Sequence, residues 1–130
     1  MLCDMLRNEV RTIAVVGLSP NAHRPSHRIA AGLQRAGFRV IPVRPLVKEV
    51  LGEAAYPDLA AVSVPVDLVN VFRAAAHVGP IVDDCLRLGF KRIWMQEGIV
   101  NEAAAVRARE GGMTVVMNRC ILRDYRTFCA

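Results

Sequence analysis

The chain has 130 residues, of which 53% are hydrophobic and 5% aromatic, and it carries a net charge of +5 at pH 7. This length fits one domain with a sizeable core, and the composition excludes a disordered chain and is typical of helices packed on a buried sheet. Since no apolar run approaches the about 20 residues that span a bilayer, and Asp4 and Glu9 interrupt any secretory signal, we expect a soluble cytoplasmic protein with no membrane partner.

Apolar segments that end on glycine or polar residues predict five strands. Helical spacing of apolar residues predicts helices over 2–9, from an N-cap at Ser26 to Gly37, from Ile81, after Gly79-Pro80, to Gly89, and from an N-cap at Asn101 to Glu110. We expect the segment 46–59 to form a short helical turn followed by an irregular return, and the tail 119–130 to form a short helix. The predicted strands are residues 12–17, 38–43, 66–72, 92–96 and 113–118.

Strands that alternate with helices about every 25 residues indicate right-handed crossovers and a parallel sheet. We therefore predict an α/β fold, a Rossmann-like three-layer sandwich with a five-stranded parallel sheet in the order 3-2-1-4-5. We expect a single domain, 1–130, with its core at about 12–125. In this order the switch point lies between the first and fourth strands.

The loops that follow the strands converge at one edge of such a sheet, and here they are basic. Arg24 and the start of the second helix add positive charge at that edge, which indicates a polyanionic ligand. The arginines are otherwise spread along the chain without an RNA- or DNA-binding pattern, so nucleic acid is not an expected partner. The loops are Gly17-Leu18-Ser19, Val43-Arg44-Pro45, Phe72-Arg73, Gln96-Glu97-Gly98 and Asn118-Arg119-Cys120.

Two common phosphate-binding motifs are absent. No second or third glycine follows Gly17 in the dinucleotide spacing, and no Gly-Lys-Ser/Thr occurs. An NAD site would place a carboxylate at the end of the second strand, where this chain has Arg44. A base at that position favours a ribose with an additional phosphate, as in NADP or coenzyme A.

The ordered set of these segments resembles the small CoA-binding protein family, free-standing relatives of the nucleotide-binding domain of the succinyl-CoA synthetase α subunit. The resemblance runs from about residue 12 to residue 125. It depends on the order and spacing of Val15-Val16-Gly17-Leu18-Ser19, Arg24-Pro25-Ser26, Val40-Ile41-Pro42-Val43-Arg44-Pro45, Leu51-Gly52-Glu53-Ala54-Ala55-Tyr56-Pro57, Pro65-Val66-Asp67, Val71-Phe72-Arg73, Trp94-Met95-Gln96-Glu97-Gly98-Ile99 and Val115-Val116-Met117-Asn118-Arg119-Cys120.

The resemblance implies a site for coenzyme A, bound through its adenine nucleotide end. Two residues depart from the usual family pattern, Arg44 in place of asparagine and Asn118 in place of aspartate. The implied contacts are Gly17, Leu18 and Ser19 under the pyrophosphate, Arg24, Pro25 and Ser26 beside it, Val43, Arg44 and Pro45 at the adenosine, Val71, Phe72 and Arg73 at the ribose phosphate, and Gln96 and Gly98 at the start of the pantetheine arm.

We expect binding without turnover, as a carrier, sensor or regulatory module, because the synthetase reaction needs a phosphorylated histidine domain and a second subunit. The alternatives are an acyl-CoA-dependent or CoA thiol-exchange enzyme that uses Cys120 or Glu97, and an NADP-sensing module. Four scattered cysteines and the pair His23 and His27 predict no zinc site and no disulfide framework, so the thiols are expected to be reduced. A protein partner stays open.

Overall fold

The computed structural model describes residues 2–129. Seven strands are β1 (Thr12–Val16), β2 (Arg39–Val43), β3 (Glu49–Val50), β4 (Glu53–Ala54), β5 (Leu68–Val71), β6 (Arg92–Met95) and β7 (Thr114–Met117). Five α-helices are α1 (Leu2–Asn8), α2 (Pro25–Arg35), α3 (Val78–Leu88), α4 (Glu102–Glu110) and α5 (Ile121–Asp124). Short 3-10 turns cover Leu59–Ala61 and Ala75–His77, and a π-helical turn, Tyr125–Cys129, ends the described chain.

Five of the strands form one parallel sheet in the order β2-β1-β5-β6-β7. The predicted α/β class, the five parallel strands and the helices around them are confirmed. Counted along the chain, however, the sheet order is 2-1-3-4-5, and the predicted order 3-2-1-4-5 is wrong in the place of the third strand. That strand, β5, lies between the first and fourth strands, so the switch point falls between β1 and β5.

The segment after β2 explains this order because it covers the outer edge of β2. The amide of Tyr56 donates to the carbonyl of Pro42 (3.0 Å), and the amide of Arg44 donates to the carbonyl of Tyr56 (2.8 Å). Instead of the predicted helical turn, this segment forms the antiparallel hairpin β3–β4. With that edge occupied, β5 pairs with the free edge of β1.

Each face of the sheet is covered by its own helices. Alternate strand residues such as Ile13 and Val15 pack with α1, α2 and α5, whereas Ala14 and Val16 pack with α3 and α4. The buried Trp94 lies on the first face, and its Nε1 donates to the carbonyl of Arg119 (2.8 Å). No helix within residues 2–129 is long and apolar enough to cross a membrane.

The two ends of the described chain meet on this first face, where α1 packs against the C-terminal turn. Cys3 and Cys129 form a disulfide there, with their Cα atoms 5.3 Å apart. Arg7 also donates from Nε to the carbonyl of Cys129 (2.8 Å). The expectation that all thiols are reduced is therefore wrong for this pair, because the fold brings together two cysteines that are 126 positions apart in sequence.

Candidate functional site

The turn after β1 is formed at a point where two strand ends approach very closely. Gly17 has a φ of +89°, and a Cβ at this position would lie 2.6 Å from the carbonyl oxygen of Phe72. Real Cβ atoms essentially never show such a distance, so a residue without a side chain is needed. This contact joins the ends of β1 and β5 at the switch point, where open α/β sheets bind ligands.

The loop from Gly17 to α2 is held by two serines. The amide of Ser19 donates to Oγ of Ser26 (3.0 Å), and the amide of Asn21 donates to Oγ of Ser19 (3.1 Å). The predicted N-cap role of Ser26 is wrong, because Arg24 is the N-cap and Pro25 begins the helix. Among the described residues 2–129, no side chain caps α2, so the positive end of this helix faces the loop.

Three arginines around this turn lack a carboxylate partner. Within residues 2–129, no Asp or Glu oxygen lies within 4.0 Å of Arg24, Arg44 or Arg73. The guanidinium of Arg44 donates only to the carbonyl of Gly17 (3.3 Å). By contrast, Arg119, from the loop after β7, is bound by Asp124 at 2.5 Å. Unneutralised positive charge is therefore concentrated near Gly17.

Three cavities open along the carboxyl edge of the sheet, and all of them are bordered by Phe72. The β2-side cavity has a volume of about 640 Å³ and includes Gly17, Val43, Arg44, Pro45 and Arg73 in its lining. The loop cavity, of about 480 Å³, is lined by Gly17, Ser19, Pro20, Asn21, Arg24, Pro25, Ser26, Arg44 and Phe72. The β7-side cavity, of about 450 Å³, is lined by Pro25, Ile29, Phe72, Arg73, Ala74, Gln96, Glu97, Ile99, Cys120 and Arg123.

The structure thus brings eleven of the predicted site residues to these cavities and leaves three outside them. Leu18 and Val71 are fully buried in the two cores, so their side chains support the site from beneath. Gly98 is exposed, and its amide donates to Oδ1 of Asn118 (2.7 Å). An asparagine at position 118 supplies this acceptor and also tolerates the φ of +61° found there.

Sequence reasoning missed one wall of the β2-side cavity. Its lining also contains Pro57, Asp58, Leu59, His77, Pro80, Ile81 and Asp84. These residues come from the segment after the hairpin and from the start of α3, and they reach the cavity because β5 lies beside β1. Pro42 was the available signal, since proline within a strand favours an edge position and would have placed β2 at the edge.

A buried pair of amides lies beneath the β7-side cavity. Oε1 of Gln96 accepts from the amide of Ile121 (3.0 Å) and from Nδ2 of Asn70 (3.4 Å). These contacts fix the orientation of the Gln96 carboxamide, because only its oxygen can accept from the Ile121 amide. Its Nε2 has no hydrogen-bond partner in the part of the chain described, although Gln96 is only 3% exposed.

Two of the charged side chains beside that cavity, Glu97 and Arg123, are paired with each other. The guanidinium of Arg123 donates to both oxygens of Glu97, at 2.6 and 3.0 Å. This hydrogen bonding, followed by the positive charge of Arg123, lowers the pKa of Glu97. Glu97 is therefore a carboxylate at neutral pH and already bound, which does not suit a general base. No cluster of metal-ligating side chains occurs between residues 2 and 129.

Comparison with known proteins finds the same unit elsewhere. The protein-family model described as "CoA binding domain" matches residues 11–126. The uncharacterized protein YneT of Bacillus subtilis is 40% identical over 111 residues, which is 85% of this chain and 82% of that protein. A solved structure of a hypothetical protein from Pyrococcus horikoshii has a TM-score of 0.92 and 29% identity, covering 97% of this chain and 88% of that one.

A similar fold also occurs within a longer enzyme chain. The dinucleotide-forming acetyl-coenzyme A synthetase 1 of Candidatus Korarchaeum cryptofilum matches with a TM-score of 0.74 and 26% identity. That match covers 88% of this chain but only 28% of the synthetase chain. Because the family model spans nearly all of the described residues, from before β1 to the turn after α5, the chain belongs to the CoA binding domain family.

Proposed function

We propose that this protein binds coenzyme A or an acyl-CoA through its adenine nucleotide end and acts as a carrier, sensor or regulatory module without catalysis of its own. One observation carries the proposal: the unpaired Arg24, Arg44 and Arg73 surround a glycine turn at the switch point of the sheet. Free cations, an uncapped helix start and a close backbone approach are what a pyrophosphate group requires.

The three cavities suit the three parts of such a ligand. The loop cavity would hold the pyrophosphate, beside Ser19 and Arg24, at the positive end of α2. The β2-side cavity, with Pro45 and Ile81 among its apolar walls, would hold the adenosine, with Arg44 and Arg73 available for its 3′-phosphate. The β7-side cavity would then receive the uncharged pantetheine arm.

Binding without turnover is supported by the ion pair that engages Glu97 beside the cavity proposed for the pantetheine arm. Glu97, the candidate base, is held by Arg123 in a bidentate pair. The activity in the name of the Korarchaeum synthetase belongs to a chain of which this protein matches only 28%. We place the module in the cytoplasm as part of the same proposal.

Calorimetric titration with coenzyme A, acetyl-CoA, dephospho-CoA, NADH and NADPH tests the ligand class. We expect coenzyme A and acetyl-CoA to bind with dissociation constants in the micromolar range or below, about −8 kcal/mol. Absence of binding by every CoA species would refute the proposal. Tighter binding of NADPH than of coenzyme A would favour the NADP-sensing alternative, which Arg44 also suits because it could meet a 2′-phosphate.

Arg44→Ala tests the contact with the additional phosphate. If Arg44 meets the 3′-phosphate, wild-type protein should bind coenzyme A better than dephospho-CoA by about 1.5–3 kcal/mol, the value of a charge-assisted hydrogen bond. This difference should vanish in Arg44→Ala. The matched control is Arg109→Ala, which removes the same charge from the exposed side of α4 and should keep the difference. A difference that persists in Arg44→Ala would assign the phosphate contact elsewhere.

A further inference from the structure

The β7-side cavity contains a free thiol that nucleotide binding does not use. Cys120 follows β7 and borders both this cavity and an adjoining one of about 270 Å³. Its exposed fraction is 8%, so bulk solvent reaches it poorly. A ligand arm inside the cavity would meet it directly.

The other cysteines are placed differently. Cys3 and Cys129 are joined to each other, and Cys85, a residue of α3, is fully buried in the core. Burial, followed by the negative charge of Asp84, raises the pKa of Cys85 to about 12, which keeps this thiol protonated and unreactive. Among residues 2–129, Cys120 is thus the unpaired cysteine that borders a cavity.

Gln96 is an independent sign that the same cavity receives a polar chain. Its carboxamide oxygen is engaged by Ile121 and Asn70, whereas its Nε2 has no partner in the described structure. Gln96 lines the cavity and its Nε2 is not among the fully buried atoms, so this donor opens onto the cavity and a ligand carbonyl there could accept from it. The pantetheine arm carries amide carbonyls of this kind.

Arg73, which has no carboxylate partner within residues 2–129, also borders the cavity. Arg123, which is paired with Glu97, lines this cavity and the adjoining one together with Cys120. The thiolate is the nucleophilic form of cysteine.

The three cavities are neighbours that share lining residues along one edge of the sheet. Pro25 and Phe72 border both the loop cavity and the β7-side cavity. A ligand whose pyrophosphate lies at Ser19 would therefore extend its arm past Phe72 toward Gln96 and Cys120. The sulfur of coenzyme A is at the far end of that arm.

Resting on the proposed function, we propose that Cys120 is a thiol–disulfide exchange site for the CoA sulfur, with CoA disulfide as the co-reactant. The Cys120 thiolate attacks one sulfur of CoA–S–S–CoA, a protein–S–S–CoA bond forms, and the original S–S bond breaks. The second CoA leaves as a thiolate and takes a proton from water. One disulfide is exchanged for another, so no further oxidant is needed.

The test is incubation of the full chain with CoA disulfide or with glutathione disulfide, followed by mass spectrometry of the intact protein and of its non-reduced peptides. We expect one CoA adduct on Cys120, formed at least about tenfold faster than the glutathione adduct, because nucleotide binding raises the effective concentration of the reacting sulfur. Dithiothreitol should release it. Cys85→Ser should form the adduct and Cys120→Ala should not.

Mapping on the wild-type protein keeps the test valid even if Cys120→Ala folds poorly. Adducts on Cys3 or Cys129 instead of Cys120, or equal rates with the two disulfides, would overturn the proposal. Titration of the wild-type protein with reduced coenzyme A separates the two ideas. Binding of coenzyme A without modification of Cys120 refutes the exchange site alone, whereas absence of binding refutes the proposed function.

Discussion

The cavities at the carboxyl edge of the sheet, together called the crevice below, differ electrostatically between the Gly17 end and the Cys120 end. Near Gly17, Arg44 and Arg73 have no carboxylate partner in the part of the chain that the structure describes, and the backbone leaves room for a close approach. Near Cys120, two ion pairs hold the charges of the loops directly after β6 and β7, since Glu97 pairs with Arg123 and Arg119 pairs with Asp124. The Gly17 end therefore offers unpaired positive charge to an anion, whereas the loop charges at the Cys120 end are already paired.

This difference matches a ligand that is itself asymmetric. Unpaired arginines in a concave site attract a polyanion, because no internal carboxylate competes with it. Paired charges produce little net electric field, so the part of a ligand that binds beside them is selected by hydrogen bonding and shape, as at Gln96 in the β7-side cavity. A molecule with a phosphorylated nucleotide at one end and an uncharged arm at the other satisfies both ends.

The largest expected effect comes from the Cys3–Cys129 disulfide, which holds the C-terminal turn that follows α5. The double variant Cys3→Ser, Cys129→Ser should lower the free energy of unfolding by about 2–5 kcal/mol, because the unfolded chain regains the freedom of a very long loop. Denaturant titration measures this loss.

Hydrogen exchange of the same variant sharpens the comparison of the two ends. We expect faster exchange in α1 and residues 121–129, beside the Cys120 end, and little change in β1, β2 and the loop at Gly17. Uniformly faster exchange would show that the two ends unfold as one cooperative unit. The electrostatic difference between the Gly17 end and the Cys120 end would then not be accompanied by a difference in local stability.

Gly17→Ala should have the next largest effect, because it combines a left-handed backbone with a Cβ placed 2.6 Å from the carbonyl oxygen of Phe72. Gly37→Ala is the matched control, since Gly37 has a φ of +105° and a Cβ added there would meet no atom within 4 Å. The control should cost about 1–2 kcal/mol for the backbone alone. Gly17→Ala should cost clearly more and also abolish nucleotide binding; equal losses in denaturant titration would contradict the close approach.

Arg73→Ala and Arg123→Ala compare an unpaired arginine with a paired one. Loss of Arg73 should weaken CoA binding by about 1.5–3 kcal/mol, roughly ten- to a hundredfold, if it contacts a phosphate. Loss of Arg123, which is engaged by Glu97, should change the affinity far less. Calorimetry on both variants decides the point, and a larger loss in Arg123→Ala would reverse the assignment of the two ends.

The smallest expected effect is the pH dependence of the Glu97–Arg123 pair. The hydrogen bond and charge of Arg123 lower the pKa of Glu97. A carboxylate with a lowered folded pKa adds stability that is present above its unfolded pKa of about 4.3 and is lost as pH falls through the folded value. NMR titration should therefore give Glu97 a midpoint below about 4.3.

The control for this titration is a carboxylate outside the crevice. Glu97→Gln should be less stable than wild type near pH 7, and the difference should shrink as pH falls below about 4, because wild type then loses the contribution of the pair. Glu110→Gln, at the exposed end of α4, should follow the wild-type curve. A Glu97 midpoint above about 4.3 would mean that the pair does not persist in solution.

Most of the secondary structure could be predicted because its signals are local. Asn101 is the N-cap of α4, with its Oδ1 accepting from the amide of Ala104 (3.0 Å), as the sequence predicted. The hairpin β3–β4 could not be recognised, because two-residue strands have no alternation to detect. Ser26 has the residue type of an N-cap, but the neighbouring proline begins the helix one position earlier.

The long-range features were harder to obtain, since they depend on which elements become neighbours. An alternating strand and helix pattern is compatible with several sheet orders, and the contribution of His77 and Asp84 to the β2-side cavity follows only from the observed one. The pairing of Cys3 with Cys129 likewise requires α1 and the C-terminal turn to be adjacent. The glycine turn and the arginines around it could be predicted from the sequence, because the carboxyl ends of parallel strands lie at the same edge of the sheet.

The hydrogen bond of Trp94 has an optical consequence. The sequence contains one tryptophan, and its indole Nε1 donates to the carbonyl of Arg119, the residue directly before Cys120. Its fluorescence should therefore respond to changes at the peptide group before Cys120. If coenzyme A is the ligand, a nucleotide fragment that lacks the pantetheine arm should leave the emission unchanged, whereas complete coenzyme A should shift it. Tryptophan emission would then show whether a bound molecule reaches the Cys120 end of the site.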